Sequence, residues 1–406
     1  MRKFTLWVGA LLAALAAPAA AQQVATPVTV IASTFSSESV GLDGVAYNTQ
    51  RDEYLVVWGD RDVQLNEYRL RAIRLDRWGR PIGVPFDVTS SPKDLLQPAV
   101  AYDSHNDRYL VVWHDLWAYG GLDWDVRGRF VSGEGVPLDP APYFIIASSV
   151  EQETDPVIAS SDSGEKYLVT WTQTALGSMS RDIRGVFVTF DGGIGSPFDL
   201  STHTASPNDR SAVAWDPFFQ NFLSVYDRDG ALMGRTVGSD GTLGTEMGIG
   251  SSWLTGVAAC DGILLAVWYQ NYNAYGQMVL GAGVFWGSVL TISALTPASD
   301  IPASVACRYH GNEFLVLISL ETGGWPPTGR ALCAKRVNAV TQEQSDLIPL
   351  VSVTPFMGFD ALTAGGASGW LVVWEDPPYI YSRVLWDLFT DGFEWGTSDR
   401  WAYHWP

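Results

Sequence analysis

One apolar run is written seven times in this chain, and that repetition constrains the fold more than any other feature. The clearest copies are DEYLVVWGD (52–60), DRYLVVWHD (107–115), EKYLVTWTQ (165–173) and GWLVVWED (369–376). Aligned on leucine, the copies fall at Leu55, Leu110, Leu168, Leu223, Leu265, Leu315 and Leu371, spaced by 42 to 58 residues. Tyr54, Tyr109, Tyr167, Phe222, Leu264, Phe314 and Trp370 precede them, and Trp58, Trp113, Trp171, Tyr226, Trp268, Ile318 and Trp374 follow three residues on. A period of this length means one supersecondary unit per repeat, each unable to bury its apolar surface alone.

The run is rich in β-branched and aromatic residues and is bounded by turn formers, so it reads as a strand. It is apolar on both faces, so both faces must be covered. A strand precedes it, as in GVAYNT (44–49), PAVAYDS (98–104) and SAVAWDP (211–217), and a third follows, as in DVRGRFVS (125–132) and DIRGVFVT (182–189). PYFIIAS (142–148) and SPFDLST (196–202) supply a fourth. The third strand keeps a small residue at Ala72, Gly128, Gly185, Gly234, Gly276, Ala334 and Ser382. Volume complementarity explains this column if the indole of the second strand lies over it.

Four-stranded sheets with two apolar faces are stable when arranged in a ring. The expected fold is all-β, a seven-bladed β-propeller of four-stranded antiparallel blades. The last copy has three strands, near 360–365, 369–375 and 379–386, while the orphan PVTVIAS (27–33) resembles a fourth strand. Ring closure by this N-terminal strand removes an exposed edge. Residues 22–386 are thus expected to form the propeller. The repeated YLVVW run is packing and does no chemistry.

The first residues, MRKFTLWVGALLAALAAPAAAQQ, read as a signal peptide over 1–21. Arg2 and Lys3 form its positive end, an apolar stretch too short to span a bilayer comfortably follows, and Ala19–Ala21 supply small cleavage-site residues. Secretion or display at the cell surface is the expected location. No later apolar stretch reaches spanning length, so no membrane span is expected. The formal charge of −19 repels phosphates and anionic lipid heads, disfavouring nucleic acid and acidic membranes as partners. Of the three cysteines, Cys260 and Cys307 occupy one first-strand slot in adjacent copies and are assigned to different sheets. Cys307 and Cys333 share a blade and form the candidate pair if one bridge exists; three buried thiols are the expectation.

The pattern AVAYDSHNDRYLVVWHD…DVRGRFVSGEGVPL resembles the repeats of large secreted bacterial propeller-like proteins over residues 27–386. The ending DLFTDGFEWGTSDRWAYHWP (387–406) is similar to the DGFESG…W tails of exported Gram-negative proteins, with Trp395 where Ser is common. The resemblance implies surface or export sorting for that tail. The residues alone equally allow a short amphipathic segment packed under the ring.

Catalytic patterns are scarce. The histidines, His105, His114, His203, His310 and His404, share no repeat position, and no zincin, nucleophile-elbow, P-loop or EF-hand pattern occurs. SSDSGEKY (160–167) matches the start of a sialidase-type Asp box but ends in Lys166-Tyr167, and reads as a hairpin turn. Asp60, Asp115, Asp227 and Asp376 follow the second strands. They could line a channel, or contact the third-strand arginines Arg71 and Arg127 locally, as Arg184 would contact Gln173. No metal or cofactor is expected.

Loops joining second to third strands share one face of a propeller. HDLWAYGGLDWD (114–125), YQNYNAY (269–275) and LETGGWPPTG (320–329) place Trp117, Tyr119, Trp124, Tyr269, Tyr272, Tyr275 and Trp325 there among polar neighbours. Exposed aromatics beside amides suit stacking on sugars or anchoring a protein. The expected function is a monomeric, exported, non-catalytic binding or cell-surface interaction module for glycans or proteins. The alternative is an extracellular carbohydrate-active hydrolase or lyase, which would need a deep pocket where carboxylates or a histidine converge.

Overall fold

A computed structural model describes residues 25–386 apart from 34–43, 63–64, 117–122, 139–142, 162–164, 176, 178–179, 202–207, 252, 295–298, 323–328, 355–360 and 377–378. The expected signal peptide (1–21) and the tail (387–406) lie outside the described residues.

Seven four-stranded antiparallel sheets form a ring, a seven-bladed β-propeller. Each of the first six blades is a meander whose strands pair in chain order. Blade 2 comprises Leu95–Asp103, Arg108–Leu116, Trp124–Ser132 and Phe144–Ala147. Blade 5 comprises Leu254–Cys260, Ile263–Gln270, Asn273–Leu280 and Val284–Ser293. Some outer strands are shorter than their sequence suggests; that of blade 3 is only Phe198–Asp199. The first strands face the hub and touch their neighbours around the ring, including Val45–Asn48 against Ala361–Gly365 across the seam.

Blade 7 closes as the orphan strand predicts. Thr29–Ser33 pairs with Tyr379–Trp386, with Thr29 opposite Ser382 and Ser33 opposite Tyr379. The Ser382 hydroxyl also donates to the Gly79 carbonyl of blade 1 at 2.7 Å. Gly79 has φ +79°, and a Cβ there would stand 3.3 Å from Leu371 and Val384 of blade 7. The turn therefore calls for a glycine, which also keeps the seam free of a tight Cβ contact.

There is no single core. Among the described residues, buried apolar side chains form seven clusters, and each draws on two neighbouring blades. All seven leucines of the repeat are fully buried in them. The small third-strand column has a different cause from the one expected. Gly128 pairs with Val112, two residues past Leu110, so it shares a face with that leucine and not with Trp113. A Cβ on Gly128 would meet Ile146 at 2.8 Å and Leu110 at 3.3 Å; on Gly234 it would meet Ile249 at 2.5 Å. The column makes room for the leucine and the fourth-strand apolar residue, while the indole lies on the other side of the sheet.

A polar latch accompanies that packing. The residue after the small column is Arg129, Arg235, Lys335 or Arg383 in blades 2, 4, 6 and 7. Each donates to a backbone carbonyl on the outer edge of the preceding blade: Val88 at 2.5 Å, Leu200 at 3.0 Å, Ile292 at 2.7 Å and Leu350 at 3.1 Å. Ile73, Val186 and Gln277 hold the slot elsewhere.

The cysteine expectation is overturned. Cys260 and Cys307 form a disulfide with Cα atoms 5.5 Å apart, and Cys333 is a buried thiol. Placing the two in different sheets was right, since they belong to blades 5 and 6. At the hub, however, equal slots on adjacent first strands are neighbours, and the bridge joins the two blades.

Candidate functional site

Connections between second and third strands share a face with those between fourth and first strands. In blade 5 that face carries aromatics. Its second and third strands are joined by a two-residue turn, with Gln270 paired to Asn273 across it. Asn271 and Tyr272 occupy the turn at φ +49° and +68°. Such a turn favours Asn and Gly; a bulky residue at its second position is strained. Tyr272 sits there and is 66 % exposed. Beside it, the half-buried Tyr269 donates its backbone N–H to the Trp253 carbonyl at 3.0 Å. Trp253 is 69 % exposed. It lies in the connection from the fourth strand of blade 4, and its signal in the sequence was a lone indole in SSWLTG.

The other aromatics sit differently. Tyr275 stacks on Trp268 with centroids 6.0 Å apart and is half-buried. Trp124 packs edge-on to His114 at 4.9 Å. Trp117, Tyr119 and Trp325 lie outside the described residues. The structure thus joins the backbones of Tyr269 and Trp253 at the blade end that carries Tyr272, and turns Trp124 and Tyr275 toward their own blades.

The corresponding end of blade 2 is charged and closed. Arg127, almost fully buried, bonds Asp115 at 3.1 Å and Asp125 at 2.5 Å. The contacts Arg71–Asp60 (3.5 Å) and Arg184–Gln173 (3.1 Å) follow the same local logic read from the sequence. The side chain of Asp376 lies outside those described. In blade 3, Glu153 accepts from the Ser149 hydroxyl at 2.5 Å. Burial, reinforced by Asp125 and Asp123, pushes its carboxyl up to about 7. Burial likewise pushes His114 down to about 4, and its Nδ1 accepts the Asp155 N–H at 3.2 Å.

A carboxyl titrating near neutrality suits a general acid, but such a group must reach a substrate atom. Glu153 is 1 % exposed and presents no oxygen to one. On the opposite face an open depression of about 700 Å³ is lined by His105, Arg108, Glu165, Lys166 and Asp191. His105 and Glu165 stand 4.0 Å apart there, both mostly exposed. Neither place is a deep pocket with converging carboxylates. Among the described residues no group of three His, Cys, Asp or Glu is placed to hold a metal ion.

No family model and no curated protein matches the chain. Solved structures match its fold. The Dos1 propeller superposes with a TM-score of 0.50 at 9 % identity, covering 88 % of this chain and 94 % of that one. A puromycin hydrolase gives 0.49 at 13 % identity, covering 84 % and 59 %. The NanB sialidase from Streptococcus pneumoniae gives 0.48 at 10 % identity, covering 88 % and 70 %. At such identities the likeness is one of fold, and it assigns no activity.

Proposed function

We propose that the chain is an exported, non-catalytic binding module whose contact surface is the aromatic end of blade 5, where Trp253, Tyr269 and Tyr272 lie. The observation that carries this reading is Tyr272. Its backbone sits where a bulky side chain is strained, and its ring is held out in water. Strain with no packing return in the fold points to a function for the side chain. Rigid aromatic rings beside Gln270, Asn271 and Asn273 suit a glycan or a protein surface. Export is supported by the leader-like first residues and by the Cys260–Cys307 bridge, a bond that persists in oxidising compartments.

A glycan array probed with residues 22–406, alongside Trp253→Ala and Tyr272→Ala, tests the site. The expected result is a set of ligands whose binding weakens about tenfold or more in both variants, with melting nearly unchanged. Binding that ignores both substitutions would remove the site. A lowered melt with intact binding would make these rings part of the loop core.

A further inference from the structure

Blade 5 is peculiar in a second place. From Gly262 to Ser299 the chain has no Asp, Glu, Lys, Arg or His, although the whole carries 44 acidic and 25 basic residues. The outer strand of that stretch, Val284–Ser293, is ten residues long and contains no proline. The outer strands elsewhere are blunted. Blade 1 has Pro81, Pro85 and Asp87, blade 6 has Pro349, and those of blades 2, 3, 4 and 7 have five residues or fewer. Short length, proline and charge are the usual protections of an exposed edge. In their absence, Val284, Phe285, Trp286 and Val289 stand between 40 % and 56 % exposed on blade 5.

Two features decide what this face accepts. The Trp286 and Ile292 carbonyls already take hydrogen bonds from Gln342 (2.9 Å) and Lys335 (2.7 Å) of blade 6. An extended peptide adding as a further strand would find those two acceptors already engaged, which favours an occupant that meets the face with side chains. The charge balance then selects the occupant. Two molecules of formal charge −19 repel wherever charged surfaces meet, whereas a basic partner is drawn to acidic surface and not to this neutral face. A twofold arrangement sets neutral face against neutral face and keeps the acidic remainder apart.

We propose that the outer strand of blade 5 is a self-association surface, where Val284, Phe285, Trp286 and Val289 of one copy pack against the same residues of a second. The pairing departs from the monomer expected from sequence and is independent of the aromatic end of the same blade.

Sedimentation velocity on residues 22–406, from micromolar concentration upward and at low and high salt, tests the proposal. The expected species is a dimer that tightens with salt, because screening weakens repulsion between two acidic chains. Phe285→Lys should weaken it by about tenfold or more without lowering the melt, since the ring is exposed in the monomer. Val289→Lys is the second variant should the first fold poorly. Val84→Lys, at an exposed position on the outer strand of blade 1, should leave the dimer intact. A monomer at every concentration overturns the proposal. So does a dimer that weakens with salt, or one indifferent to both blade 5 variants.

Discussion

Blades 2 and 5 share the leucine, the tryptophan and the small residue, yet their second-to-third strand ends behave oppositely. Opposite Trp113 stands Arg127, and opposite Trp268 stands Tyr275, in the same register. The guanidinium draws Asp115 and Asp125 inward and closes the end of blade 2 as a buried charged network. The phenol of Tyr275 stacks on the indole and asks for no counter-charge, and blade 5 ends in a tight turn that displays Tyr272. The comparison teaches that blades built on the same repeat columns can end differently, in a buried charged network in blade 2 and in a tight turn with an exposed tyrosine in blade 5.

The largest test of this contrast removes the residue opposite the indole. Arg127→Ala should cost about 3–5 kcal/mol, because Asp115 and Asp125 are left charged and buried. Tyr275→Ala in blade 5 should cost less, about 1–3 kcal/mol, since it strands no charge. Equal losses on chemical denaturation would erase the distinction between the two ends.

A second test uses pH, which only the charged end should feel. Glu153 keeps its proton up to about 7 in the fold, against 4.5 for an ordinary glutamate. Its folded value is raised, so stability is full below the ordinary value and is lost as pH rises through about 7. Glu153→Gln should therefore be more stable than the parent at pH 8, by on the order of 2 kcal/mol, and nearly equal to it at about pH 4. His114 pulls the other way, losing stability as pH falls from 6.5 toward about 4, and is common to both proteins. A constant gap between parent and variant across this range would place Glu153 in a solvated environment.

The smallest effect belongs to blade 5. Tyr272→Gly should raise stability by about 0.5–1 kcal/mol, because glycine adopts the left-handed backbone without steric penalty. The same change should abolish ligand contacts made by the ring. If the melt falls instead, Tyr272 contributes packing and is not held at a cost.

The propeller was legible because its cause is local and repeated. A column of leucines, a column of indoles, an orphan strand at the N-terminal end and a last copy one strand short are enough to infer blades, their number and their closure. What stayed hidden depends on neighbours distant in sequence. The acceptors of Arg129, Arg235, Lys335 and Arg383 are backbone carbonyls of another blade, and a carbonyl leaves no trace in residue type. The Cys260–Cys307 bridge was missed for a related reason, since hub geometry brings together positions that sheet membership separates. At the candidate site, Tyr269 and Tyr272 stood out in a dense aromatic loop. Trp253 is a single residue of a connection between blades, and only its hydrogen bond to Tyr269 places it beside them.

The closure strand also imposes an order in time. Six blades can form hairpin by hairpin as the chain emerges, but Thr29–Ser33 must wait for Tyr379–Trp386. The equilibrium cost of joining such distant segments is modest, because each doubling of loop length adds only about 0.6 kcal/mol. The burden is kinetic. Until residue 386 is available, the first strand made has no partner and the growing ring keeps two unsealed flanks, the state in which multi-blade chains are open to mispairing and aggregation. A premature stop anywhere before the last strand would therefore strand both ends of the molecule at once, not merely shorten it.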